Sequence, residues 1–286
     1  MANRKETALN NNYGKHLSHS QISMFLRCPR QWCFRYVQKI RTPANANLIL
    51  GRSYHSALEA NFLAKVESGQ DLETQVVLDA FDRAWNQKLQ AEEIDWQDES
   101  PSETKDIGVA LVGCYMATQA PFVMPAKVEE RFSISQPELG DYSLDGVIDI
   151  ITVEDVIIDH KTSGKAKNQG DVDSDLQPYA YAAAVLTDPA LDECILEFQT
   201  AVKTKKPYIQ VLRTVRNRND VAWYMAACAQ VIRQIDAGIF PPNPQGWHCD
   251  KRYCGYWDLC MEEVRSADKA AEPQINLGGK VDTVMP

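Results

Sequence analysis

The stretch DGVIDIITVEDVIIDHKTSGK, residues 145–165, decides the fold because it contains two apolar, β-branched strands joined by a short turn. Charged residues interrupt both strands: Asp149 in the first, and Asp159 and Lys161 in the second. A tight hairpin at 153–155 would bring Asp149 beside Asp159. Because side chains alternate across a strand, Asp159 and Lys161 are expected on the same face.

These three charged side chains admit two interpretations. Two carboxylates on rigid neighbouring strands are hard oxygen ligands suited to Mg²⁺ or Mn²⁺. A lysine two residues from one of them can orient a water molecule and stabilise charge on a phosphate. Alternatively, Asp159 and Lys161 form a structural salt bridge at a strand end. Spacing alone gives the two interpretations about equal weight.

The composition of the whole chain narrows its class. Its 286 residues can bury a sizeable core. The polar start lacks the apolar core of a signal peptide, and no apolar run is long enough to span a bilayer. We therefore expect a cytoplasmic protein with no membrane partner. In a reducing compartment, the eight cysteines suggest metal or cluster ligands more than disulfides.

The charge is unevenly distributed. The net charge of −9 argues mildly against indiscriminate binding of nucleic acid. However, residues 27–41 and 202–218 together contain eleven Lys and Arg residues and no acid, which leaves −20 on the rest of the chain. Such segregation suits a basic groove on an acidic body, and two solvated faces are an equally good explanation. The candidate DNA contacts are Arg27, Arg30, Arg35, Lys203, Lys205, Lys206, Arg213 and Arg216.

Periodicity along the chain predicts an α/β fold. Helical patterns fill most of 18–120, and period-two strands follow at 127–134, 142–153, 155–163, 195–204 and 208–216. A helix at 174–188 separates the third and fourth strands, and another covers 219–237. This order implies a central mixed β-sheet flanked by helices, with a helical insertion before the sheet. No glycine-rich nucleotide-binding motif is present in the sequence.

The predicted organisation has six parts. They are a flexible tail (1–16), N-terminal helices (17–47), a helical region (48–126), the core (127–240), a cysteine-rich segment (241–265) and a disordered tail (266–286).

The hairpin motifs resemble a known family. GVID followed by VIIDHKTSG resembles the core of the PD-(D/E)XK nuclease superfamily, in its RecB-like exonuclease branch. That branch includes nuclease domains of bacterial recombination helicase–nucleases and CRISPR-adaptation nucleases. The resemblance implies a restriction-endonuclease-like core, with Asp149 and Asp159 as metal ligands and Lys161 as the catalytic lysine. It also implies that the backbone carbonyl of His160 completes the metal shell.

Three further segments fit this resemblance. GRSYHSALE resembles an upstream helix whose histidine, here His55, adds a metal ligand, although a lone histidine on a helix is more often structural. QPYAYAAAV resembles the family's helix with Gln177 and Tyr181 one turn apart. These residues would contact the DNA backbone or support the lysine, unless the tyrosines simply pack the helix. VEERF supplies Glu129 and Glu130; one of them could reach the site, but solvated strand charges are the favoured interpretation.

The cysteines form a second pattern. Cys249, Cys254 and Cys260 are spaced C-x4-C-x5-C, whereas zinc sites favour C-x2-C pairs. RecB-like members with an iron–sulphur cluster have such a trio plus one distant N-terminal cysteine, which the motif FLRCPRQWCFRYV assigns to Cys28. Cys33 competes, but lies about 140° away on a continuous helix, so both cannot face one cluster. The resemblance thus implies a [4Fe–4S] cluster that staples the N-terminal helices to the C-terminal segment.

Taken together, the resemblance implies a metal-dependent DNA exonuclease. We expect Mg²⁺ or Mn²⁺ dependence and action on single-stranded or end-bearing DNA, in recombination, repair or phage DNA processing in a bacterial or phage-infected host cell. The sequence contains no helicase motor, so any unwinding partner would be separate. Two alternatives remain. One is a non-catalytic, cluster-bearing DNA-binding subunit of a larger complex, and the other is a zinc-stabilised interaction protein whose charged hairpin is only structural.

Overall fold

The structure, a computed structural model, describes residues 14–270, with side chains described as far as residue 263. Most of the two predicted tails therefore lies outside the described residues. In the parts of these tails that the structure does describe, a strand begins at His16 and a helix continues to Ala270. The helices are α1 (His19–Arg27), α2 (Pro29–Trp32), α3 (Ala46–Ser68), α4 (Thr74–Ala91), α5 (Pro101–Thr118), α6 (Gln169–Asp173), α7 (Gln177–Val185), α8 (Arg218–Asp236) and α9 (Trp257–Ala270).

The strands form a mixed sheet, as predicted. They are β1 (His16–Leu17), β2 (Ala44–Asn45), β3 (Ile94–Asp95), β4 (Pro125–Ile134), β5 (Ser143–Thr152), β6 (Ile157–Ser163), β7 (Glu193–Val202) and β8 (Tyr208–Asn217). The order β1-β5-β6-β7-β8, with β4 also paired to β5, makes one sheet, while β2 and β3 pair separately. The β6–β7 pair is parallel and is joined through α6 and α7; the β4–β5, β5–β6 and β7–β8 pairs are antiparallel.

Helices cover both faces of the sheet. The inserted helices α3, α4 and α5 pack on one face, where Ile150 and Ile158 meet Phe62 and Tyr115. Helix α7 packs on the other face, and α1 and α8 pack beside it. No helix within residues 14–270 is long and apolar enough to cross a membrane. The β5–β6 hairpin therefore lies at the centre of a three-layer arrangement.

The N-terminal helical segment differs from prediction. Residues 18–37 do not form one helix, because Cys28 has an extended backbone (φ −160°, ψ 101°) between α1 and α2. Pro29 follows it, and proline disfavours the helical conformation in the preceding residue. A π-helical turn then covers Cys33–Val37. The continuous helix assumed in comparing Cys28 with Cys33 is therefore wrong.

Candidate active site

The β5–β6 hairpin brings the two aspartates together. Ile150 pairs with Ile158 and Ile151 with Ile157, so Asp149 and Asp159 occupy the next position along the two strands. Instead of another ladder bond, Asp149 Oδ2 accepts the backbone N–H of His160 at 2.8 Å. The Asp149 carboxylate is thus inserted where the two strands begin to separate.

The alternation of side chains breaks at this point of the sheet. Ile148 packs in the core under α7 and Ile150 in the core under α3, although residues two apart on a regular strand share a face. On the neighbouring strand β4, Glu129 has a φ of +52°, a left-handed conformation that is rare for residues other than glycine. Such local strain is concentrated at functional sites in proteins. The irregularity places Asp149 between the two faces of the sheet.

Asp159, Lys161, Gln177 and Tyr181 form a connected cluster. Lys161 Nζ lies 2.6 Å from Asp159 Oδ2 and donates to Gln177 Oε1 at 2.8 Å. The Gln177 amide nitrogen donates to Asp159 Oδ1 at 2.6 Å and lies 2.6 Å from the Tyr181 hydroxyl. Tyr181 in turn donates to the carbonyl of Val147. Gln177 therefore contacts both the Asp159 carboxylate and the Lys161 ammonium.

The electrostatics of the Asp159–Lys161 pair depend on burial. Burial raises the pKa of Asp159, and Asp149 adds to this effect against the opposing charge of Lys161. Burial opposes the charge of Lys161, but Asp159 outweighs it and raises the pKa of the ammonium group. The buried Asp159 Oδ2 has the Lys161 ammonium as its close partner, at 2.6 Å. This oxygen is therefore suited to a cation.

His55 joins the site from α3. Its Nδ1 lies 3.3 Å from Asp149 Oδ2, and its pKa is raised because this pairing outweighs burial. Burial opposes ionisation of Asp149, yet its contacts with His160 and His55 hold its pKa below the usual range. Burial lowers the pKa of His160, which favours the neutral imidazole. We call Asp149, Asp159, Lys161, His55 and Gln177 the carboxylate site.

The structure adds two residues beside the carboxylate site. His19, the first residue of α1, lies edge-on to the Tyr181 ring with centroids 6.3 Å apart, and burial and Lys161 lower its pKa to about 4. Burial and Asp149 raise the pKa of Glu129 to about 7. No sequence signal marks His19, because only the path of α1 brings it here. Glu129 belongs to the motif VEERF, for which the sequence favours a solvated charge over a side chain that reaches the site.

Arg216 contradicts its predicted role as a DNA contact. It is buried, and its guanidinium donates to Thr214 and to the backbone carbonyls of Val215 and Asp173. The guanidinium also lies over the Tyr179 ring at 4.2 Å. The expectation was wrong because alternation along β8 turns Arg216 inward, where it ties β8 to α6.

The other basic residues lie at or near the surface, several with partners. Lys205 and Lys206 are exposed in the turn after β7, beside the end of β6, where Lys203 N–H bonds the Ser163 carbonyl. The remaining pairs are Arg27 with Gln31, Arg30 with Glu263, Arg213 with Glu197, Lys203 Nζ with Asn47, and Arg35 with the Tyr36 ring. The turn at 203–206 therefore lies beside the end of the strand that contains Lys161.

Four cysteines line a second cavity, which we call the cysteine cavity. Cys28, Cys249, Cys254 and Cys260 surround it, all as free thiols, whereas Cys33 is buried elsewhere. Burial raises the thiol pKa values of Cys254 and Cys260, and the charges of the other cavity cysteines add to this. The structure thus brings Cys28 to the C-terminal trio.

Neither site has the geometry of a closed single-metal site. Among the described residues, no group of three or more His, Cys, Asp or Glu side chains is arranged to hold one metal ion. In the carboxylate site, His55 and Lys161 are instead turned towards the aspartates as partners. The two carboxylates are nevertheless the type of ligand that hard divalent cations such as Mg²⁺ and Mn²⁺ prefer.

Comparison with known proteins identifies the class. Residues 16–261 match the sequence profile of the PD-(D/E)XK nuclease superfamily, which spans most of the chain. The chain therefore belongs to the PD-(D/E)XK nuclease superfamily. The carboxylate site contains the acidic and lysine residues that the resemblance assigned to its motif.

One solved structure supports the fold. A "putative exonuclease" of Eubacterium rectale superposes with a TM-score of 0.56 at 10% identity, covering 87% of this chain and 92% of that chain. A second structure, SSO0001, covers 87% of this chain and 86% of that chain at 14% identity, but its TM-score of 0.39 is too low to support an argument. No curated protein sequence matches the chain significantly.

Proposed function

We propose that the protein is a divalent-metal-dependent DNA exonuclease of the RecB-like branch, acting in the cytoplasm on single-stranded or end-bearing DNA. The observation that carries this proposal is the buried Asp159 Oδ2, which lies beside the Lys161 ammonium and within the same hairpin as Asp149. A buried carboxylate needs a compensating charge, and among the described residues Lys161 supplies it to this oxygen.

Each residue of the carboxylate site has a distinct role in this proposal. His55, Asp149, Asp159 and the backbone carbonyl of His160 would hold Mg²⁺ or Mn²⁺. When bound, the cation supplies Lewis-acid polarisation of the phosphate and acidifies water. Lys161, fixed by Asp159 and Gln177, positions the attacking water and stabilises the charge that develops on the phosphate.

Gln177 and Tyr181 serve this chemistry by restraining Asp159. Both contact Asp159 Oδ1, at 2.6 Å and 3.3 Å, which leaves Oδ2 directed at Lys161. Precise orientation of the reacting groups contributes a large share of enzymatic rate enhancement. The exposed turn with Lys205 and Lys206 would follow the DNA backbone next to this site.

We propose further that the cysteine cavity holds a [4Fe–4S] cluster. Four mutually close thiols in an apolar cavity would repel one another as thiolates, and a cluster core neutralises that charge.

The nuclease activity is tested with end-labelled single- and double-stranded DNA in Mn²⁺ and in Mg²⁺. We expect wild type to release nucleotides from DNA ends, to leave covalently closed circles intact and to stop when EDTA is added. Asp149→Asn should lower the rate by at least about 10²-fold, whereas Asp145→Asn on the same strand should not. No cleavage of any substrate by wild type would leave a DNA-binding subunit as the function.

The nature of the cluster is tested on protein purified without oxygen. A [4Fe–4S] cluster predicts brown protein with iron and acid-labile sulfide in equal amounts. Zinc in place of iron would overturn the cluster and favour a zinc-stabilised protein. A separate helicase partner, also proposed, would be detected as faster degradation of duplex DNA when a motor protein opens the ends.

A further inference from the structure

A buried chain of hydrogen bonds lies behind the carboxylate site, on the face of the sheet covered by α3 and α5. His160 Nε2 lies 2.9 Å from the Tyr115 hydroxyl, which lies 2.5 Å from Gln199 Oε1. The Gln199 amide nitrogen donates to Glu197 Oε1 at 2.6 Å, and Arg213 Nε donates to Glu197 Oε2 at 2.7 Å. Every member except Arg213 is buried. The catalytic roles above use only the backbone of His160.

Arg213, at the surface end of this chain, determines the direction of every hydrogen bond in it. A guanidinium can only donate, so Glu197 accepts from Arg213 as a carboxylate. Its other oxygen must also accept, which places the amide nitrogen of Gln199 towards Glu197 and the amide oxygen towards Tyr115. The single hydroxyl proton of Tyr115 is then donated to Gln199. The Tyr115 oxygen can therefore only accept from His160, and Nε2 of His160 must have a proton.

The direction of these hydrogen bonds affects the donors that face Asp149. A neutral imidazole has one N–H, so a proton on Nε2 leaves His160 Nδ1 without one. Nδ1 lies 3.6 Å from Asp149 Oδ2, which already accepts the backbone N–H of His160 and lies near His55. A proton on Nδ1 would give the carboxylate another donor and take up a lone pair. With Nδ1 bare, that lone pair stays available to a cation.

We propose that Tyr115, Gln199 and Glu197 are positioning residues that hold His160 as its Nε2–H tautomer and so keep Asp149 available to a divalent cation. The cation at Asp149 rests on the proposed function. The tautomer is a property of the protein without metal, so the two parts fail separately. Second partners of metal ligands in other proteins typically change metal affinity or activity by about 10- to 100-fold.

Glu197→Gln reverses the chain without changing its shape. Arg213 still donates to the oxygen of the new amide, so the amide nitrogen faces Gln199. Gln199 must then turn its oxygen to that nitrogen and its own nitrogen to Tyr115. Tyr115 accepts from Gln199 and donates to His160 Nε2, which moves the imidazole proton to Nδ1. A remote isosteric substitution is thus expected to switch the tautomer of His160.

The tautomer is measured by ¹⁵N NMR on the full chain labelled at its five histidines, without added metal. The His160 signals are identified by their loss in His160→Gln. We expect the Nε2–H tautomer in wild type and the Nδ1–H tautomer in Glu197→Gln. An Nδ1–H tautomer in wild type, or no change in Glu197→Gln, would overturn the proposal.

The effect on the metal is measured as Mn²⁺ affinity, from the EPR signal of free Mn²⁺. Tyr115→Phe should weaken binding about tenfold. Tyr54→Phe is the matched control, because Tyr54 is also fully buried and its hydroxyl has no hydrogen-bond partner among the described residues. Equal affinities of the two variants, with wild type active, would overturn the positioning role alone. Absence of Mn²⁺ binding by wild type with the expected tautomers would instead overturn the metal-dependent function.

Discussion

The carboxylate site and the cysteine cavity are assembled in opposite ways. Four of the five members of the carboxylate site lie within residues 149–177, on strands and a helix that pair directly, and their charges are already hydrogen-bonded. The cysteine cavity joins Cys28 to residues 249–260, and its thiols are free. The side chains of the first site hold one another in place, whereas the proposed cluster would join the distant parts of the second.

Because of this difference, we expect loss of the metal to affect activity and loss of a cluster to affect stability. Loss of the metal from the carboxylate site should abolish chemistry and leave the sheet intact. Loss of a cluster from the cysteine cavity should release a loop of about 220 residues, for which closure costs on the order of 5 kcal/mol. The two sites can therefore be tested by different measurements.

The largest expected effect is that of Cys28→Ala. If Cys28 is a cluster ligand, its loss should remove iron and lower Tm by about 10–20 °C, since 1 kcal/mol corresponds to about 2–4 °C in a protein of this size. Cys33→Ala is the control, because Cys33 is buried away from the cavity. Iron content and thermal unfolding without oxygen are measured for both. Retention of iron and Tm in Cys28→Ala would contradict the assignment.

A smaller effect on stability is expected within the hairpin itself. A Cβ at Gly146 would lie 2.4 Å from the ring of Phe132, which packs edge-on against Tyr181. Gly146→Ala should therefore destabilise the protein by about 1–3 kcal/mol in urea unfolding. Gly164→Ala, with no atom within 4 Å of the added carbon, should change stability by less than about 0.5 kcal/mol. Equal effects would show that the ring moves freely.

A pH dependence is expected for the carboxylate site but not for a cluster. The pKa of His55 is raised, and only the neutral imidazole binds a cation. Mn²⁺ affinity should therefore fall as the pH drops through this raised pKa, by up to about tenfold per pH unit. In the metal-free protein the His55–Asp149 pair contributes its full stabilisation below pH 6.5. This stabilisation is lost as the pH rises through the raised pKa of His55. His55→Gln should remove this dependence, and an unchanged profile would exclude His55 as a ligand.

The sequence predicted the carboxylate site well because its signals are local. Period-two patterns located the main strands, and the hairpin spacing fixed the relation of Asp149 to Asp159. Gln177 and Tyr181 are one helical turn apart, and their contact follows from that spacing. Each of these inferences needs only neighbouring residues.

The rest depended on contacts between distant segments. His160 and Gln199 lie 45 and 84 residues from Tyr115 in the sequence, and no periodic pattern links the three. Arg216 looked like part of a basic surface because charge counts do not show which way a strand residue points. Cys28 was placed by resemblance, while the break at Pro29 that turns it towards the C-terminal trio was not foreseen.

The most direct test of the nuclease site compares two lysines near the same ring. Lys161 and Lys167 lie 5.8 Å and 5.0 Å from the centroid of Phe198, but Lys161 contacts Asp159 and Gln177, whereas Lys167 lies 3.8 Å from Asp175. The measurement is the Mn²⁺-dependent rate of cleavage of end-labelled DNA. Lys161→Ala should lower it by at least about 10²-fold, and Lys167→Ala should leave it within a few-fold of wild type. Equal rates for Lys161→Ala and wild type would contradict the assignment of the active site.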